Sequence, residues 1–313
     1  MRYGKGLSAA SPRSLFAKRI VRASWPQLPG TKGACRPAIT WKSSGWKARD
    51  TTASPCPTAS AILAAMIPIG SHPAWHPVLE TLAYAAGFAI FRWLRGRRGD
   101  VVDEPQRWTV LAAAAVGALV GSRLLGIAEQ WPTVIEALKS GRLWELLLSP
   151  GGKTIVGGLL GGGLGVVAVK KLSGIRRRTG DLFVLPLCVG IAVGRVGCLL
   201  AGLADDTYGK PTTLPWAVDL GDGVGRHPVQ VYEILFVIFL EIVLTRRAKL
   251  PDGARFRIFM ASYLAWRILI DFWKPQPLIG GMNVIQWSCV AGILCLVLDF
   301  VFRRKASYEQ AMG

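Results

Sequence analysis

The sequence is poor in histidine, in acidic residues and in paired cysteines, and each shortage removes a class of function. Three histidines (His72, His76 and His227) are too few for an elaborate metal centre. The six cysteines, at 35, 56, 188, 198, 289 and 295, form no CxxC pair and no Cys/His ligand spacing, so neither zinc nor a disulfide framework is implied. Four of them lie inside apolar blocks and read as small buried hydrophobes. The phosphate-binding loop ending in GK[ST] is missing, because GGKT at 151–154 lacks the upstream glycine. Residues 283–302 carry no lysine for a retinal Schiff base, and the two halves of the chain show no inverted repeat of the kind many transporters have. Strand-like alternation is absent too.

Apolar residues, in contrast, are plentiful. They make up 51% of the 313 residues and arrive in blocks of about twenty, the length that crosses a hydrocarbon core. Backbone groups at that depth have no water partner, so each block is helical. The expected spans are 75–94, 107–129, 153–171, 182–203, 228–245, 256–273 and 284–302. The fold class is therefore an all-α polytopic membrane protein with about seven transmembrane helices. The glycine triplet Gly157, Gly161, Gly165 and the pairs Gly117–Gly121 and Gly190–Gly194 recur every four residues, the spacing that lets helix backbones approach in lipid.

The net charge of +19 suggests a nucleic-acid binder until its distribution is examined. Residues 1–65 hold eleven Lys or Arg and one acid, Asp50, and so supply ten of those charges. This stretch is rich in Ser, Pro and Gly, lacks a hydrophobic period and a signal-peptide pattern, and reads as a disordered basic extension preceding Met66. The domain plan is then 1–65 as extension, 66–306 as the seven-span unit and 307–313 as a tail, with no nucleic acid as partner. Basic residues also fix direction. Arg92–Arg107, Lys170–Arg178, Arg246–Arg257 and Arg303–Lys305 flank alternate connections, which places those connections and the carboxyl end in the cytoplasm.

With that orientation, Glu80, Arg123, Arg195, Glu233, Arg267 and Asp271 all fall in the outer halves of five helices, while Glu241 and Asp299 lie toward the cytoplasm. Intramembrane charges are costly and mark sites or pathways. The guanidinium fork of Arg123, Arg195 and Arg267 matches phosphate oxygens and cannot lose its charge, which suits an anionic phospholipid headgroup. The plainer alternative is that they pair with Glu80, Glu233 and Asp271 as internal glue, as Arg267 and Asp271 could within one helix. Arg226, Gln230 and Glu233 are spaced i, i+4, i+7 and are expected to share a helix face. His227, at the membrane edge, is a candidate acid–base group because of its near-neutral pKa.

Five stretches resemble the bacterial prolipoprotein diacylglyceryl transferases: GGKTIVGGLLGG (151–162), GRVGCLLAG (194–202), DDTYGKPTTLPWAV (205–218), RHPVQVYE (226–233) and WRILIDFWKPQP (266–277). The resemblance covers about residues 75–302. It implies a seven-span protein of the bacterial inner membrane that faces the periplasm. The implied reaction moves a diacylglyceryl group from phosphatidylglycerol to the lipobox cysteine of a prolipoprotein signal peptide, with no metal or nucleotide cofactor. By resemblance, Arg195 and Arg267 are the essential arginines and Arg123 a further one. Cys198, Ala201 and Leu203 stand where the family has two asparagines and a glutamate, Val156 stands for a histidine, and Glu80 for a tyrosine, with Tyr84 one turn on. A relative serving another lipid acceptor, a non-catalytic lipid-binding protein and a transporter stay open at this point.

Overall fold

The computed structural model describes residues 39–42, 45–48, 75–142, 144–145, 152–175, 177–247 and 250–312. Within the first unit, residues 1–56, the described part is an antiparallel hairpin, β1 (Ile39–Lys42) with β2 (Gly45–Ala48), pairing Trp41 with Trp46. The rest of 1–65, and the disorder expected of it, lies outside the described residues.

The second unit is helical: α1 (Trp75–Arg98), α2 (Glu104–Glu129), α3 (Trp131–Lys139), α4 (Ile155–Leu172), α5 (Val184–Ala201), α6 (Val229–Arg246), α7 (Ala254–Ile270) and α8 (Val284–Met312). Seven of these fall on the seven apolar blocks. Among the described residues, four segments are long and apolar enough to cross a membrane: Glu104–Glu129, Ile155–Leu172, Asp181–Ala204 and Val284–Phe302. The others are more heavily charged or shorter; α6 carries Glu233, Glu241 and Arg246, and α7 has 17 residues. The short helix α3 was not foreseen, because its nine residues follow directly on α2 in what reads as a connection.

Glycine decides the closest helix pair. A Cβ added to Gly121 would lie 2.8 Å from the Cα of Gly161, and one on Gly161 would lie 2.8 Å from the Cα of Gly121. The backbones of α2 and α4 therefore touch along this seam, as four-residue glycine spacing allows. Thr154 closes its end. The Thr154 N–H donates to both the carbonyl and the hydroxyl of Ser122, while the Thr154 hydroxyl accepts from the Gly157 N–H as the N-cap of α4.

Elsewhere α1 packs on α5, α5 on α6, and α7 on α8. The core between them includes Val184, Val237, Phe259, Leu264 and Cys289, all with essentially no exposure. Large residues such as Leu119, Leu164, Phe239 and Phe302 face outward, as a helix bundle in lipid requires. At the end rich in basic loops, Asp181 accepts from the backbone N–H groups of Gly253 and Phe256, at 2.5 and 2.9 Å. Gly253 has no side chain with which to cap α7, so a carboxylate 72 residues earlier does so.

Candidate functional site

Most of the buried polar side chains gather where α5, α6, α7 and the start of α8 meet. Arg195 lies two turns from the end of α5, and Glu233 one turn into α6. Tyr263, Arg267 and Asp271 are four residues apart along α7 and the single 3-10 turn that continues it, Asp271–Trp273, so they share one face. Lys274 ends that turn. Arg195, Glu233, Arg267, Asp271 and Lys274 are each 5% exposed or less, far drier than such residues normally are.

One carboxylate oxygen holds both arginines. Glu233 Oε2 is 3.0 Å from Arg195 Nη2 and 3.0 Å from Arg267 Nη1, while Glu233 Oε1 accepts the Tyr263 hydroxyl at 2.6 Å. Arg267 Nη2 also reaches Asp271 Oδ1 at 2.8 Å, and Lys274 Nζ lies 3.3 Å from the same oxygen. The other Asp271 oxygen accepts from Asn283 Nδ2 at 3.4 Å. Asn283 is fixed in turn by a reciprocal capping box with Gln286 at the start of α8.

Counting the directly ion-paired groups, three cations face two carboxylates, a net charge of +1 in a water-poor place, and the partly buried carboxyl of Glu129 lies within electrostatic reach of Arg267 and Lys274. The Nε atoms of Arg195 and Arg267, and Nε2 of Gln230, are buried without a hydrogen-bond partner among the described residues. Buried donors normally find one, so these three can still take up acceptor oxygens.

The arginine–carboxylate pairing expected as glue is present, and it coexists with the unused donors. Glu80 is not part of it; it pairs with Lys153 at 2.9 Å and accepts the Tyr84 hydroxyl at 3.0 Å. Arg123 is half-buried on α2.

The helical face proposed for Arg226, Gln230 and Glu233 needs correction. Arg226 belongs to a two-residue strand, β4 (Gly225–Arg226), paired with β3 (Val218–Asp219), because Pro228 disfavours helix for the residue before it and α6 begins only at Val229. Arg226 donates to both oxygens of Asp222, at 2.6 and 2.7 Å, and holds that exposed carboxyl below the usual aspartate range. Its guanidinium also lies over the Tyr208 ring.

His227 sits between the rings of Tyr232 and Trp273, with Nδ1 3.5 Å from the Tyr232 hydroxyl. Its backbone N–H donates to Lys210, whose own N–H donates to Trp273. The loop carrying His227 is thereby tied to the turn that carries Asp271 and Lys274. Sequence reasoning missed Tyr263, Lys274, Asn283 and Gln286. The first two lay four before and seven after Arg267, a spacing that was there to be read.

A family model for prolipoprotein diacylglyceryl transferase matches residues 66–302. The chain belongs to the prolipoprotein diacylglyceryl transferase family. Similar curated proteins carry the name phosphatidylglycerol–prolipoprotein diacylglyceryl transferase. That of Geobacter sulfurreducens is 31% identical over 66% of this chain and 80% of its own length. The Bordetella avium protein is 27% identical over 78% of this chain and 94% of its own length. The Polynucleobacter asymbioticus protein is 30% identical over 74% and 92% respectively. The family match spans every residue of the buried ionic cluster.

Proposed function

We propose that this protein transfers a diacylglyceryl group from phosphatidylglycerol to the lipobox cysteine of a prolipoprotein, at the outer leaflet of the bacterial inner membrane. Residues 66–306 form the membrane unit with seven crossings and a cytoplasmic carboxyl end; the alternation of basic connections supports that orientation. The observation that carries the reading is the pair Arg195 and Arg267 on one Glu233 oxygen, each with a free Nε, inside a cluster of net charge +1.

A phosphodiester bears one negative charge and neutralises that cluster. The acceptor thiolate forms a C–S bond to the glycerol carbon as its C–O bond breaks, and glycerol phosphate departs. Charge then grows on the phosphate, and fixed guanidinium donors stabilise it without reorganising. Glu233 and Asp271 keep the arginines tolerable before lipid arrives, since an unpaired cation at this depth costs on the order of 3 kcal/mol. Gln230 presents a further donor, Arg123 belongs to the same outer layer, and Arg226 and His227 line the tethered loop above.

The test uses Arg195→Lys, which keeps the charge and loses the fork, and Arg195→Gln, which loses both. Phosphatidylglycerol retained through purification is compared with a zwitterionic lipid, alongside restored lipoprotein modification in cells lacking the transferase. Retention and transfer should fall in Arg195→Lys and further in Arg195→Gln. Parent-like binding and turnover in both would reduce Arg195 to glue. Retention of lipid without any transfer by the parent chain would indicate a binding protein instead.

A further inference from the structure

The reaction proposed above needs an anionic sulfur, and the buried cluster has no group free to make one. Glu233 and Asp271 are each taken by two cations and one further donor. A different ion pair is open to a visitor. Lys153 Nζ lies 2.9 and 3.1 Å from the two carboxylate oxygens of Glu80, which also accepts the Tyr84 hydroxyl at 3.0 Å. The Lys153 side chain is 50% exposed and that of Glu80 26%, so both can meet a substrate.

The pair joins α1 to the residue two before α4, although α1 packs along α5 rather than along α4. Ionisable side chains in a membrane span mark sites more often than they serve as glue. Lys153 also stands just ahead of Thr154, the N-cap of α4, where the helix dipole adds partial positive charge. Ammonium and helix end together make a place for an anion, now filled by Glu80.

Space leads from this pair to Arg195. Gly190 and Gly197 on α5 meet α1, since Cβ atoms added there would lie 3.6 Å from the Ala83 carbonyl oxygen and 3.1 Å from Leu79 Cβ. A Cβ on Gly194 would meet nothing within 4 Å among the described residues. That gap adjoins Arg195 and lies at a level between Leu79 and Ala83, which is the level of Glu80.

We infer that Lys153, held in place by Glu80, binds the acceptor cysteine as its thiolate. The assignment rests on the transfer reaction proposed above. The incoming thiol passes its proton to Glu80, and the sulfur anion takes the carboxylate's place on Lys153 Nζ. The sulfur then forms the C–S bond to the glycerol carbon as the C–O bond breaks. Glycerol phosphate leaves on the side of Arg195 and Arg267, and Glu80 releases its proton to solvent. A cation beside a thiol lowers its pKa from about 8.5 to the point where the anion is present at neutral pH. Among the described residues, the titratable groups facing Lys153 are Glu80 and, through it, Tyr84, while α2 brings Gly126 and Ser122 against this stretch.

The experiment incubates the purified full chain with phosphatidylglycerol in detergent and a synthetic peptide carrying the lipobox cysteine, and measures initial transfer rates at pH 7 and pH 9. A free thiol is about 3% ionised at pH 7 and about three-quarters ionised at pH 9. Lys153→Gln should therefore lose about thirtyfold at pH 7 and less than about twofold at pH 9. Lys153→Arg should keep most of the parent rate at both, and Glu80→Gln should lose rate at pH 7 and recover it at pH 9. Phosphatidylglycerol retained through purification should stay at the parent level in Lys153→Gln, because the phosphate is held by other residues. If Lys153→Gln does not fold, the parent's own profile decides: its rate should stay nearly level from pH 9 to pH 7, where an unassisted thiol falls about twentyfold. A Lys153→Gln rate like the parent's at pH 7, an equal loss at both pH values, or a parent profile that follows the free thiol overturns the thiolate site and leaves the transfer reaction standing. A parent chain that retains phosphatidylglycerol and never transfers from it refutes the transfer reaction and this site with it.

Discussion

Replacing Glu233 with glutamine tests the charge balance of the buried cluster with the least change of shape. Glutamine keeps an oxygen where Glu233 Oε1 accepts the Tyr263 hydroxyl, so the 2.6 Å bond survives. It presents an amide where Oε2 now receives both Arg195 and Arg267. Arg267 still has Asp271, whereas Arg195 loses its ion-pair partner and the cluster rises from +1 to +2. Removing one partner of a buried ion pair costs on the order of 3–5 kcal/mol. Taking 3 kcal/mol and the sensitivity of a domain of this size, the apparent melting midpoint in zwitterionic detergent should fall by roughly 6–12 °C. Phosphatidylglycerol should recover part of that loss, and raise the variant's midpoint more than the parent's, because its phosphodiester restores the missing negative charge. Equal midpoints for parent and Glu233→Gln without lipid would refute the idea that this carboxylate carries the arginines. A deficit that phosphatidylglycerol does not narrow would refute the anion receptor.

Gly121→Ala should force α2 and α4 apart, since the new Cβ would stand 2.8 Å from Gly161 Cα; a destabilisation of about 1–3 kcal/mol is expected and read by thermal denaturation. The Asp222 carboxyl, held down chiefly by its bond from Arg226, should titrate below the ordinary value of 3.8, so its pairing is intact above that pH and is lost as pH falls through the lower folded value. Carboxyl-detected NMR of Asp222 checks this, and Arg226→Gln should return the midpoint toward 3.8. An impermeant thiol reagent applied to intact cells should label Thr212→Cys beyond the parent chain; labelling only after permeabilisation would invert the topology.

The helices were legible because their cause is local. Blocks such as 182–203 and 284–302 declare themselves by apolar length, and the glycine seam of α2 and α4 by its four-residue spacing. The buried cluster was half legible. Arg195, Glu233, Arg267 and Asp271 stood out as charges in apolar segments, but which carboxylate served which arginine depended on how α5, α6 and α7 pack. Lys274 escaped notice because it follows the apolar block, and Tyr263 because a tyrosine in a helix has many reasons to be there. Arg226 was misplaced by extending helical periodicity back through Pro228, where backbone sterics forbid it.

The seam between α2 and α4 also bears on how a two-tailed lipid reaches the cluster. Where the glycine backbones touch, no groove remains wide enough for a methylene chain, and the Thr154–Ser122 bonds latch one end of the contact. The two helices therefore behave as a single plank in the wall of the bundle. Traffic of acyl tails between membrane and site must pass through some other opening in that wall, and breathing motions that admit substrate will show up as displacement of the plank as a whole rather than as parting of its two members.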